Sequence, residues 1–123
     1  MNRFSIRRRL KSFLFAFQGG KTLVSTQHNA WIHSVATIAV VIGGVCYHVT
    51  RQEWAMLVFA ITIVWMTEAL NTAIEFLADE VSEEKRDRIG KAKDVGAFAV
   101  LAGAIASIAI GWIVFLPHLF PKQ

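Results

Sequence analysis

The chain of 123 residues contains one cysteine, two prolines and eight glycines, and each scarcity closes a class of protein. A lone Cys46 cannot form an internal disulfide, so a small disulfide-stapled domain is excluded, and Cys46 reads as inert packing in an apolar run. So little Pro and Gly beside nine Phe and four Trp excludes a collagen-like or low-complexity disordered chain. Charge is also missing over long distances. From Ala30 to Val49 there is no Asp, Glu, Lys or Arg, which is the length needed to cross about 30 Å of hydrocarbon. Gly20-Lys21-Thr22 resembles the end of a P-loop, but that motif requires Gly where Phe15 stands, and no strand precedes it. His28 and His33 are off a common helical face, which argues against a zinc site.

What is present fits an all-α membrane protein in a single unit over 1–123. The hydrophobic fraction is 54%, the mean hydropathy +0.46 and the net charge +4, with the charge gathered in patches. Residues 1–29 carry Arg3, Arg7, Arg8, Arg9, Lys11 and Lys21, while Ile6, Leu10, Phe13, Leu14 and Phe17 recur at helical spacing. This predicts an amphipathic surface helix whose apolar stripe enters the headgroup boundary and whose basic residues meet anionic lipid rather than nucleic acid. A cleaved signal peptide fits worse, because Gln18, Gly19, Gly20 and Lys21 interrupt any apolar run. Three transmembrane helices are expected over 30–49, 54–77 and 95–119, the last ended by Pro117 and Pro121. A charged connector occupies 79–94. Trp31, Trp54 and Trp112 fall near the span ends, as in an aromatic belt. Lys and Arg concentrate in the N-terminal helix and in the connector, so the positive-inside rule places both in the cytoplasm and the C-terminus outside.

The second span is unusual in carrying acids. Glu68, Asn71, Glu75 and Asp79 stand at i, i+3, i+7 and i+11, so at about 100° per residue they share one stripe. A carboxylate at the bilayer centre costs at least about 2.5–3.5 kcal/mol, so Glu68 and Glu75 should face protein, water or a cation. Interhelical hydrogen bonding could account for Asn71 alone. Two acids two turns apart can do more, one binding Mg²⁺ and the other acting as a base. Lys93 beside Asp94, where the connector meets the third span, adds a cation for phosphate. The alternative from another class is a small proton or cation channel or transporter subunit using the same acids, although its path would need polar residues across the whole bilayer.

Glu68-Ala-Leu-Asn71-Thr-Ala-Ile-Glu75, followed by Asp79 and by Gly90-Lys91-Ala92-Lys93-Asp94, resembles the signature of the prokaryotic diacylglycerol kinase and undecaprenol kinase family. The likeness extends to the basic N-terminus, the three spans and the length. It implies a small lipid kinase of the bacterial inner membrane, a homotrimer with sites shared between subunits, that transfers the γ-phosphate of MgATP to a lipid hydroxyl. On this resemblance Glu68 is the catalytic base, Glu75 a metal-binding carboxylate, and Asn71 a polar support of the site. Lys93 and Asp94 contact the nucleotide, as do Arg8 and the Glu84-Lys85-Arg86 stretch, and His33 lines the lipid pocket with Glu68 and Asn71. Gln27 falls where the family has a second metal-binding Glu, so the expected site holds one anionic ligand fewer. Diacylglycerol and undecaprenol pose the same phosphoryl-transfer problem, and the motifs do not choose between them. The Asn29-Ala30-Trp31-Ile32-His33 segment looks more like the undecaprenol branch.

Overall fold

The structure is a computed structural model that describes residues 4–123; Met1, Asn2 and Arg3 of the basic N-terminus lie outside it. Four helices follow in order: α1 over Ile6–Thr26, α2 over His28–Cys46, α3 over Arg51–Val81 and α4 over Asp87–Leu119. Helices α2, α3 and α4 are long and apolar enough to cross a membrane, and no strand occurs among the described residues. The chain is thus an N-terminal helix followed by three spans.

The helices outrun the hydropathy that predicts them. The connector expected over 79–94 is non-helical only over 82–86, because α3 continues to Val81 and α4 already begins at Asp87. Hydropathy registers the hydrocarbon, whereas a helix continues into water wherever its backbone bonds can be made. Pro117 does not end α4, which runs on to Leu119. Pro117 lacks an N–H and its ring crowds the carbonyl four residues back, a disruption that membrane helices accommodate by local adjustment and by neighbouring groups. Between α1 and α2 only Gln27 leaves helical geometry, with φ −105° and ψ 120°.

At the opposite end, the turn between α2 and α3 places His48 at φ 50°. Helix α3 then opens with a capping box: Glu53 N donates to Thr50 Oγ1 at 3.2 Å, and Thr50 N donates to Glu53 Oε2 at 2.7 Å. Val49, Leu57 and Val114 form the buried core there, with Trp54 and Phe115 against it. His118 Nε2 lies 3.2 Å from both Glu53 oxygens, tying the end of α4 to the start of α3.

Helices α3 and α4 form the main seam, and small side chains let them approach. Ser107 Oγ donates to the Ala60 carbonyl at 2.9 Å, and a Cβ on Gly103 would stand 2.9 Å from Thr67 Oγ1. Without a hydrophobic drive between helices in lipid, such close packing and interhelical hydrogen bonds hold a bundle together. The outward apolar side chains remain exposed. On α1 the stripe Ile6, Leu10, Phe13, Leu14 and Phe17 is 62–77% exposed.

The seam makes a paired prediction. Gly103→Ala gains up to about 1 kcal/mol of helix propensity but forces overpacking that costs about 1–3 kcal/mol, so it should lower the thermal midpoint in detergent. Gly111→Ala, whose Cβ would meet nothing within 4 Å, should leave the midpoint unchanged or raise it.

Candidate active site

The polar stripe of α3 runs from dry to wet. Glu68 is 2% exposed and Asn71 9%; Glu75 is half-buried, and the Asp79 side chain is 65% exposed. The stripe therefore opens at the end nearest the 82–86 connector. In the other direction it gives way to the apolar packing of Leu57 and Val114.

Each member has a partner. Glu68 Oε2 lies 3.4 Å from His33 Nε2 of α2, so the most deeply buried acid is not left bare, which would be the costly alternative. One turn on, Asn71 Nδ2 donates to Glu75 Oε1 at 3.3 Å. Further on, Lys93 Nζ of α4 donates to Asp79 Oδ1 at 2.7 Å, with the Glu75 carboxylate also acting on this ammonium group. A carboxylate held by a histidine, an amide bonded to a second carboxylate, and an ion pair thus stand in succession along α3.

Two residues that the sequence reading passed over complete the arrangement. Gly96 faces Asn71 so closely that a Cβ there would force the Asn71 amide oxygen to shift. That oxygen is enclosed and has no hydrogen-bond partner, and neither does the enclosed Thr72 Oγ1. Buried polar atoms seldom stay unpaired in a finished structure, which sets these two oxygens apart from the other polar groups of the stripe. No feature of the sequence places Gly96 opposite Asn71, since that pairing depends on the register between two helices. Nothing in the sequence separates Thr72 from the other hydroxyl residues of the span.

The remaining candidates lie apart. Gln27, at the α1–α2 junction, donates from Nε2 to Thr26 Oγ1 at 3.2 Å. Arg8 on α1, and Glu84, Lys85 and Arg86 around the connector, are exposed and form no ion pair among the described residues. Asp94 is exposed, and it is Asp79 that holds Lys93. Alongside the stripe runs an apolar groove of about 740 Å³ between α1 and α3, lined by Ala16, Leu23, Trp65, Met66, Thr72 and Phe76 among others. His33 is not in its wall; it borders a smaller void with Thr37 and Ser107.

A buried carboxylate, an amide-braced carboxylate and a lysine, aligned beside a chain-sized apolar groove, suit chemistry on a lipid reached from one side of the membrane. The sequence pattern of the prokaryotic diacylglycerol kinases matches residues 14–115. The chain belongs to that family. It is 34% identical to the undecaprenol kinase of Bacillus subtilis (strain 168) over 118 residues, covering 96% of each chain. It is 34% identical to the diacylglycerol kinase of Synechocystis sp. over 111 residues, 89% of this chain and 63% of that protein. With the diacylglycerol kinase of Escherichia coli (strain K12) it shares 31% over 94 residues, 71% of this chain and 76% of that one. Relatives under both names are lipid kinases, and membership puts this chain in the same class of enzyme, a membrane-embedded phosphotransferase.

The fit of Asn71 against Gly96 can be measured. Gly96→Ala should destabilise the wild-type protein by about 1–3 kcal/mol. In an Asn71→Ala background, where the amide no longer fills the space, most of that cost should vanish. A double-mutant cycle on thermal or denaturant midpoints reads the coupling.

Proposed function

We propose that this protein transfers the γ-phosphate of MgATP to the hydroxyl of a membrane lipid alcohol, with Glu68 as general base and Glu75 as the carboxylate that holds the cation. The observation that carries the reading is the graded stripe: a base enclosed at the dry end, a lysine at the wet end, and an apolar groove alongside. A lipid chain lying in the groove brings its hydroxyl toward Thr72 and Glu68, while a nucleotide from the aqueous side reaches Glu75 and Lys93. Asn71, with His33 close behind Glu68, belongs to the lipid-hydroxyl side of the site. Phosphoryl transfer asks mainly for positioning and charge neutralisation, so these few groups suffice.

The residues fit Mg²⁺ that arrives with the nucleotide. Among the described residues no three His, Cys, Asp or Glu side chains gather, so the chain does not cage a cation alone. Mg²⁺ usually takes one or two carboxylates together with substrate phosphates. Glu75, with one oxygen steadied by Asn71, supplies one, and Gln27 supplies at most an amide oxygen. The metal when bound neutralises phosphate charge. Glu68 accepts the hydroxyl proton, and Lys93, whose exposed pairing with Asp79 yields readily, turns to the phosphates. Arg8, Glu84, Lys85, Arg86 and Asp94 border the same aqueous side and would extend the nucleotide contact.

The wet end of the stripe is cytoplasmic in this reading, since basic residues gather there, and the C-terminus is outside. The membrane is the bacterial inner membrane, where ATP is within reach. A homotrimer supplies the wall that three spans alone do not give the site. We take the acceptor to be a polyprenol, on the end-to-end likeness to an undecaprenol kinase and on the Asn29 and Ile32-His33 pattern. A channel needs a polar path on both sides of Glu68, whereas Leu57 and Val114 close one side with apolar packing.

Following labelled γ-phosphate into extracted lipid tests the reading. Undecaprenol should be phosphorylated faster than diacylglycerol, and no phospholipid product from either would refute kinase action. Glu68→Gln should lower turnover by about 10²- to 10⁴-fold, the usual worth of a general base. Glu75→Gln should raise the Mg²⁺ concentration for half-maximal rate, and Gln27→Glu should lower it by restoring an anionic ligand. Equal Mg²⁺ dependence in Gln27→Glu and wild type would remove Gln27 from the metal site.

A further inference from the structure

We propose that His33 is a positioning residue for Glu68: its Nε2–H holds carboxylate oxygen Oε2, leaving Oε1 to take the proton of the lipid hydroxyl. This rests on the reading of Glu68 as the base. Four observations carry it. The His33 Nε2 to Glu68 Oε2 contact, at 3.4 Å, is the one hydrogen bond that the Glu68 side chain makes among the described residues. Both partners are enclosed, the side chains being 14% and 2% exposed, so water does not offer an equivalent donor.

His33 is itself fixed. Its carbonyl accepts from Thr37 Oγ1 at 2.7 Å, Thr37 Oγ1 accepts from Trp65 Nε1 at 3.0 Å, and the Trp65 ring meets the His33 ring edge-on at 6.0 Å and 62°. A short chain of contacts across α2 and α3 thus sets the ring that aims at Glu68. Finally, Trp65 lines the large groove and His33 does not. Its place behind the carboxylate suits a group that acts through Glu68, not one that touches the lipid tail.

The chemistry follows from one oxygen being occupied. As the acceptor oxygen forms its bond to the γ-phosphorus, the bond from that phosphorus to the bridging oxygen breaks and its electrons leave with ADP. The acceptor's proton passes to Glu68 Oε1 and is released to water as product departs. Without a donor on Oε2 the carboxylate can rotate, and either oxygen can turn from the hydroxyl.

The test compares side chains at position 33 by steady-state kinetics with labelled ATP and undecaprenol in detergent micelles. His33→Leu should lower kcat about 10- to 100-fold, the loss expected for a hydrogen bond to a charged group, with KM for the lipid little changed. His33→Gln, which carries an N–H donor, should recover most of that loss. His33→Asn, polar but shorter, should stay slow, and it replaces the Leu variant if that one fails to fold. In a Glu68→Gln background, His33→Leu should cost nothing more. An unchanged kcat in His33→Leu or His33→Asn, or a raised lipid KM alone, would overturn the assignment and return His33 to lining. If Glu68→Gln itself keeps wild-type turnover, the base reading fails; if Glu68→Gln is slow and His33→Leu is fast, only the His33 inference does.

Discussion

A carboxylate inside a membrane-spanning helix is costly unless it is kept from lipid and given a donor. Glu68 is the point where this fold meets that cost. The chain encloses it, gives it His33 of α2, and spends the α3–α4 seam on small residues that let the helices close. Gly96 and Gly103 are therefore as much part of the site's construction as its polar groups. At the far end, Leu57 and Val114 with the Thr50–Glu53 cap and the His118 tie anchor the same two helices. The apolar-packed end of the bundle is distant from the connector, and the open end carries the polar groups.

Spacing alone made the stripe legible. Glu68, Asn71, Glu75 and Asp79 could share only one face of a helix, and their graded burial follows from how far each lies from the connector. Basic clusters and charge-free runs likewise announced one amphipathic helix and three spans. Helix ends were less visible: Asp87 to Asp94 read as a polar connector although their backbone is helical, because hydropathy reports the solvent and not the hydrogen bonding. Pro117 read as a stop, yet α4 continues through it to Leu119, as membrane helices can.

Pairings across helices were invisible for a different reason. Nothing in the sequence says that Lys93 meets Asp79 and not Asp94, or that His33 of one span reaches Glu68 of the next, since interhelical register depends on which small residues face each other. Gly96 opposite Asn71 is the clearest instance: its role exists only once two helices are in contact. The division of labour between groove and stripe emerges at the same level. Trp65, an unremarked apolar position in the span, faces the groove and also braces His33.

The claim on which the account turns is that Glu68 removes the proton of the acceptor hydroxyl. A series of polyprenol analogues whose hydroxyl is made progressively more acidic by fluorine near the alcohol carbon tests this directly. The ratio of wild-type to Glu68→Gln turnover should shrink along the series, because a more acidic alcohol needs less help from a base. A ratio that stays constant across the series would show that Glu68 acts by some means other than taking the proton.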